Sequence, residues 1–186
     1  TVSCKSWGDP HITAFTGHFC DLHGAGIFPL FERGTVRAQA FHCPAVSAWP
    51  SASTNAAVAL QVGADRVTII GDVVKINGHV ATASVGAVML NSVGSGSVDA
   101  AIGDVSLKAT KRVTANAATG YYLDVALETF EAPLSGATGY CALEAPPVAN
   151  TPIQRLSQPT DTLFEQADIA SLEASCGIAA TGNADQ

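Results

Sequence analysis

The sequence predicts a mostly β chain closed by a single C-terminal helix. Three observations carry that expectation. The aliphatic content comes mainly from alanine and valine rather than leucine, and only 13% of residues are charged, which favours thin strands over thick amphipathic helices. Short runs of alternating apolar residues, broken by glycines, recur from His11 to Leu127. Past Cys141 the pattern changes: a proline-bearing stretch leads into apolar residues at helical spacing.

Taken in order, residues 11–41 read as a meander of strands punctuated by Gly17, Gly24, Gly26 and Gly34, with Val36, Ala38 and Ala40 on one face of the last. Residues 44–55 carry turn formers and no period, so they are expected as a loop or insertion. Extended structure resumes at 58–62 and 66–76. Asn77-Gly78 then supplies the two positive φ angles of a type I′ hairpin turn. Strands are expected at 87–90, 97–102, 104–109 and 121–127, with Gly103 and Thr119-Gly120 as breaks. Over 161–175, Leu163, Phe164, Ala167, Ile169, Ala170 and Leu172 form an apolar stripe. Thr162 with Glu165 makes a capping-box pattern at its start, and Gly177 stands just past its end.

Composition sets limits on function. With 186 residues, 47% of them apolar, the chain suits one domain, or one domain plus an appendage, with an ample core. The net charge of −7, with nine Lys and Arg that cluster only at Lys108, Lys111 and Arg112, argues against a nucleic-acid partner. No uninterrupted apolar run reaches the length of about eighteen residues that a spanning helix needs, so no membrane span is expected. Thr1 is expected to follow either a removed signal or an internal cut in a longer precursor. Five cysteines without a C-x-x-C pair suggest a sparse disulfide frame with one thiol left over. There is no Asn-x-Ser/Thr sequon.

The run Cys4-Lys5-Ser6-Trp7-Gly8-Asp9-Pro10-His11, followed by Thr13, Phe15, Thr16-Gly17, Cys20-Asp21-Leu22, Gly24-Ala25-Gly26 and Phe28-Pro29-Leu30, resembles the opening of a von Willebrand factor type D (VWD) domain. Order and spacing hold over about two dozen positions. Three identities depart from the family pattern: Cys20 stands for an aromatic, Gly26 for a cysteine and Thr16 for an acid. The resemblance implies an antiparallel β-sandwich of VWD type over residues 1–142, and the prolines and helical spacing noted above make 143–186 a proline-rich linker and a helix docked on the sandwich.

The resemblance also implies a disulfide from Cys4 to Cys141, which lies within Gly139-Tyr140-Cys141-Ala142 where the family has Gly-Leu-Cys-Gly. Cys176 resembles a family cysteine whose usual partner stands where this chain has Gly26. Cys20 is the nearest substitute, so Cys20 to Cys176 is the preferred second bond, leaving Cys43 as a free or intermolecular thiol. The rival, Cys43 to Cys176, would leave Cys20 in the core. The family's calcium loop corresponds here to residues 143–150, where Glu144 and Asn150 stand beside Pro146 and Pro147. A hard cation wants six or more oxygens, so calcium is expected to be absent or weak, with no metal and no cofactor.

Chemistry centres on Asp9-Pro10-His11. An aspartyl carboxyl can attack its own main-chain carbonyl while the proline nitrogen leaves, and some family members cut themselves at this bond. His11 is placed to shuttle the proton. The plainer role is a turn, with Pro10 fixing φ and Asp9 capping backbone N–H groups. His11, His18, His23 and His42, near Asp9, Asp21, Cys20 and Cys43, offer transition-metal ligands without a dense ligand spacing. Solvated or hydrogen-bonded histidines explain them better. A Cys-His nucleophile would use Cys20 with His18 or His42 and Asp21 as orienter, but adjacent strand residues point apart. Trp7, Trp49, Tyr121 and Tyr122 suit core and rim positions better than a sugar-stacking face.

The expected function is a non-catalytic extracellular or surface module, building a secreted matrix, filament or adhesive assembly with other protein subunits or with itself. The alternatives are self-cleavage at Asp9-Pro10 and the scaffold of a secreted enzyme such as an oxidase.

Overall fold

The structure is a computed structural model, and it describes residues 1–46, 52–94, 96–130, 135–144 and 161–177. Within these residues the chain forms two antiparallel sheets and one C-terminal helix. Its strands are β1 (Val2–Trp7), β2 (His11–Thr13), β3 (Phe19–Asp21), β4 (Gly26–Arg33), β5 (Val36–Pro44), β6 (Ser53–Val62), β7 (Asp65–Ile70), β8 (Val73–Ile76), β9 (His79–Val80), β10 (Val88–Gly94), β11 (Ser97–Ile102), β12 (Val105–Val113) and β13 (Tyr121–Thr129). A 3-10 turn spans Tyr140–Ala142, and helix α1 spans Gln166–Cys176.

The second sheet is a plain meander, β4 to β9 in chain order, whereas the first runs β10-β11-β12-β13-β1-β2-β3. The N-terminal strand is therefore interior to its sheet, paired on one side with β13 and on the other with β2. Period-two alternation explains the packing: Leu123, Val125 and Leu127 of β13 are buried while Asp124, Ala126 and Glu128 between them are not. Together with Ile12, Leu22, Leu30, Leu60, Ile69 and Leu107 they fill the space between the sheets.

A second, smaller core lies on the other side of the second sheet. Phe41, Ala57 and Ala59 face outward there and meet Leu163, Phe164, Ile169, Leu172 and Cys176. Small residues on the strands let the helix approach closely. Lys75 closes the edge of this contact, its Nζ 2.8 Å from Asp168 Oδ1.

The expected type I′ turn is present, with Asn77 at φ 50° and Gly78 at φ 85° between β8 and β9. Asn77 also accepts the Arg66 backbone N–H through Oδ1 at 2.8 Å. The helix begins later than the sequence suggests. Residues 161–165 are instead held against β5: the Asp161 carbonyl accepts from Arg37 Nη2 and Gln39 Nε2, and the Leu163 N–H donates to Gln39 Oε1. The capping box does not form. Glu165 is the N-cap without a side-chain bond, and Thr162 Oγ1 accepts the Phe164 N–H one turn earlier. Gly177 ends the helix in the left-handed conformation as expected. The loop expected at 44–55 is shorter than that, since Pro44 ends β5 and Ser53 opens β6. Residues 47–51 and most of the proline-rich linker lie outside the described residues.

All four sheet edges are blunted. On β10, Val85 exchanges two backbone bonds with Val88, and Ser84 Oγ accepts the Leu90 N–H. On β4, Thr138 exchanges two bonds with Glu32, and Pro29 has no N–H to offer. The outer strands β3 and β9 are three and two residues long. Short, covered or proline-bearing edges are the usual protection against strand addition by another chain.

Candidate functional site

The segment carrying the sequence resemblance is bonded across the molecule. Cys4, in the middle of the first sheet, forms a disulfide with Cys141 in the 3-10 turn, with Cα atoms 5.5 Å apart. The turn fits only because residue 139 is glycine. A Cβ there would lie 2.6 Å from the Leu30 carbonyl oxygen, and φ is +102°. The Phe15 N–H donates to the Cys141 carbonyl at 3.0 Å, so the turn is bonded to the loop after β2 as well.

The second bond differs from the preferred expectation. Cys43 is joined to Cys176 with Cα atoms 5.2 Å apart, and Cys20 is the free thiol. Strand alternation decides this. Cys20 lies opposite Ile12 and points between the sheets, whereas Cys43 belongs to the opposite face of β5, where the helix docks. Cys43 is therefore neither a free nor an intermolecular thiol. Disulfides spanning 137 and 133 residues are features of a chain folded in an oxidising compartment.

Around Asp9-Pro10 the first sheet builds a compact array. The chain turns at Gly8, φ +63°, whose N–H donates to Asp124 Oδ1 at 3.3 Å. The carboxylate that caps this turn is thus that of Asp124, and the Asp9 carboxylate faces His11 instead. His11 Nε2 is 2.8 Å from Asp9 Oδ1, and its Nδ1 is 2.6 Å from Asp21 Oδ1. The strand register explains the Asp21 contact: His11 and Asp21 are direct cross-strand neighbours on β2 and β3, as Trp7 and His11 are on β1 and β2, while Asp9 reaches the ring from the turn two residues before it. The ring is flanked by Phe19, stacked at 5.6 Å, and Trp7, tilted at 5.7 Å. In the sequence Asp21 was legible as a carboxylate close to cysteine and histidine, and as an orienter for Cys20 with His18 or His42 rather than for His11. Its service to His11 needed the β2–β3 register.

The other candidates separate. His42 is fully buried against Phe28, with ring centroids 4.6 Å apart, while His11 sits on the outer face and His23 is exposed. The histidines do not converge, and no group of three or more His, Cys, Asp or Glu side chains is set to hold a metal ion among the described residues. Of the calcium-loop stretch only Leu143 and Glu144 are described. Cys20 is 5% exposed, and its thiol is pushed up to about 11 by burial and by the charge of Asp21, which disfavours the nucleophilic thiolate. Trp7 packs on His11 and Phe19, and the Tyr121 hydroxyl donates to the Ala56 carbonyl at 2.8 Å. Burial and nearby Asp72 push the Tyr121 hydroxyl up to about 12. Trp49 lies outside the described residues.

The fold so defined is a disulfide-tied antiparallel β-sandwich with one docked helix. No family model matches the sequence, and no curated protein matches it. No helix among the described residues is long and apolar enough to cross a membrane.

Proposed function

We propose that the chain is a non-catalytic structural module of VWD kind, working outside the cell or at its surface by contact with other protein subunits, copies of itself included. The observation that supports this best is the Cys4–Cys141 bond. It joins the two segments on which the family resemblance rests, 137 residues apart in sequence. Closing so long a loop stabilises the fold by about 4 to 5 kcal/mol in the chain-entropy model, which suits a module that must hold its shape without cellular upkeep. Because the sheet edges are short, partly covered or proline-bearing and Cys20 is buried, contacts with neighbours would be made through faces and loops rather than by strand addition or an exchanged thiol. Exposed Val80, Val113 and Phe130 are available for such contacts. Sedimentation at rising protein concentration, with free thiols blocked, tests the reading. Reversible association is expected, and a strict monomer that also fails to bind extracellular matrix preparations would overturn it.

A second reading, self-cleavage at Asp9-Pro10 under mild acid, is favoured by one observation: the 2.8 Å contact of His11 Nε2 with Asp9 Oδ1 holds an acid–base group against the carboxyl that would attack the labile bond. Incubation at low pH followed by a reducing gel would release residues 1–9. Without reduction that piece should stay attached through Cys4 and the β1 pairings.

A further inference from the structure

We propose that Asp21 is the positioning residue for scission of the Asp9–Pro10 bond, by holding one hydrogen on His11 Nδ1 so that Nε2, the ring nitrogen that faces Asp9, is the one that exchanges the transferable proton. The proposal rests on the self-cleavage reading and names the residue that would control it.

The argument is one of donors and acceptors. An ionised carboxylate only accepts, so at 2.6 Å from Asp21 Oδ1 the Nδ1 atom must carry a hydrogen. With Nδ1–H committed to Asp21, the 2.8 Å contact on the other side holds one further proton between Nε2 and Asp9 Oδ1. Either the doubly protonated ring donates to the Asp9 carboxylate, or the Asp9 carboxyl donates to the ring. In both states the transferable proton lies between His11 Nε2 and the carboxyl group that attacks the bond to be cut. Without Asp21 the neutral ring is free to adopt the other tautomer, with Nε2–H as a fixed donor and its basic nitrogen turned away from Asp9. Phe19 and Trp7 flank the ring but supply no hydrogen-bond partner to Nδ1, so they restrict its tilt and not its tautomer. A carboxylate orienting a histidine in this way is the logic of hydrolytic triads, transferred here to an intramolecular leaving group.

The step balances as follows. An Asp9 carboxylate oxygen forms a bond to its own main-chain carbonyl carbon, closing a five-membered cyclic anhydride. The carbon–nitrogen bond to Pro10 breaks, and its electron pair goes to the proline nitrogen, which takes the proton from His11 Nε2 and leaves as a secondary amine. Water opens the anhydride to two carboxyl groups, and the ring regains its proton from solvent.

The test compares wild type, Asp21→Asn and Asp21→Glu, following release of residues 1–9 on reducing gels from about pH 4 to 8, a span that includes the range of about pH 5 to 8 in which a histidine ordinarily changes charge. In parallel, nitrogen NMR reads the His11 tautomer. Asp21 is 47% exposed on the outer face, so both variants are expected to keep the fold. Asp21→Asn should slow release by about tenfold or more, displace the pH–rate profile and mix the His11 tautomers, because correctly held acid–base groups contribute factors of this size and above. Asp21→Glu should recover part of the rate. Wild-type rate and profile in Asp21→Asn would overturn the proposal while leaving self-cleavage standing. A wild-type chain that never releases the fragment would overturn the cleavage reading and the role of Asp21 with it.

Discussion

His42 and Asn55 face each other across β5 and β6 inside the sandwich, both with no exposed surface, and neither ring nitrogen of His42 nor the Asn55 amide oxygen has a partner in hydrogen-bond geometry. The Asn55 amide nitrogen donates elsewhere, to the Ser6 hydroxyl at 2.9 Å and to the Leu123 carbonyl at 3.2 Å, tying the two sheets together. A charged imidazole has no counter-ion in this position, so burial pushes His42 down to about 3, with Asn55 opposing only in part.

The consequence is acid sensitivity with a defined sign. The folded state keeps His42 neutral down to about pH 3, whereas the unfolded chain takes up the proton near the ordinary value of 6.5. Between these limits the unfolded state binds more protons, so this contribution is fully present above pH 6.5 and is lost as pH falls. The slope is about 1.4 kcal/mol per pH unit, or roughly 2 to 3 kcal/mol lost by about pH 4.5. Urea unfolding of wild type and His42→Leu across this range checks it. The stability of wild type minus that of His42→Leu should fall steadily on acidification, and parallel curves would show that His42 does not titrate this way.

Gly139 and Gly34 both have positive φ, but their surroundings differ. A Cβ on Gly139 would strike the Leu30 and Phe31 backbone, whereas around Gly34 there is nothing within 4 Å. Gly139→Ala should therefore cost at least about 2 kcal/mol, combining backbone strain with overpacking. Gly34→Ala should cost about 1 kcal/mol from the φ angle alone. Thermal unfolding of the two variants side by side gives the comparison.

Cys20 should behave as a core residue and not as a reactive one. With 5% of its surface exposed and its thiol raised to about 11, labelling by a maleimide should be very slow in the native protein and should reach one thiol per chain in denaturant without reductant. Rapid native labelling would place a different cysteine in the free state.

Much of this architecture was legible from the chain. Asn77-Gly78 fixed its own turn, because both residues tolerate positive φ. Alternation in β13 and the late apolar stripe gave the sandwich face and the helix. What escaped was what depends on partners distant in sequence. The helix start at Gln166 depends on Arg37 and Gln39 holding residues 161–163 in an extended path, which overrides the local capping signal of Thr162 and Glu165. The Cys43–Cys176 pairing depends on which face of each strand meets the helix, and a missing family cysteine at Gly26 gave no guide to that. The Asp9–His11–Asp21 array was half visible. Asp9 and His11 are two residues apart, but Asp21 joins them only through the register of β2 and β3.

The central claim is a sandwich fastened at its N-terminal strand by Cys4–Cys141 and at its helix by Cys43–Cys176. Mass mapping of peptides from the unreduced native protein tests it most directly. The account predicts one linked pair containing Cys4 and Cys141, a second containing Cys43 and Cys176, and a free thiol at Cys20. A peptide joining Cys20 to Cys176, or an unpaired Cys4, would contradict it.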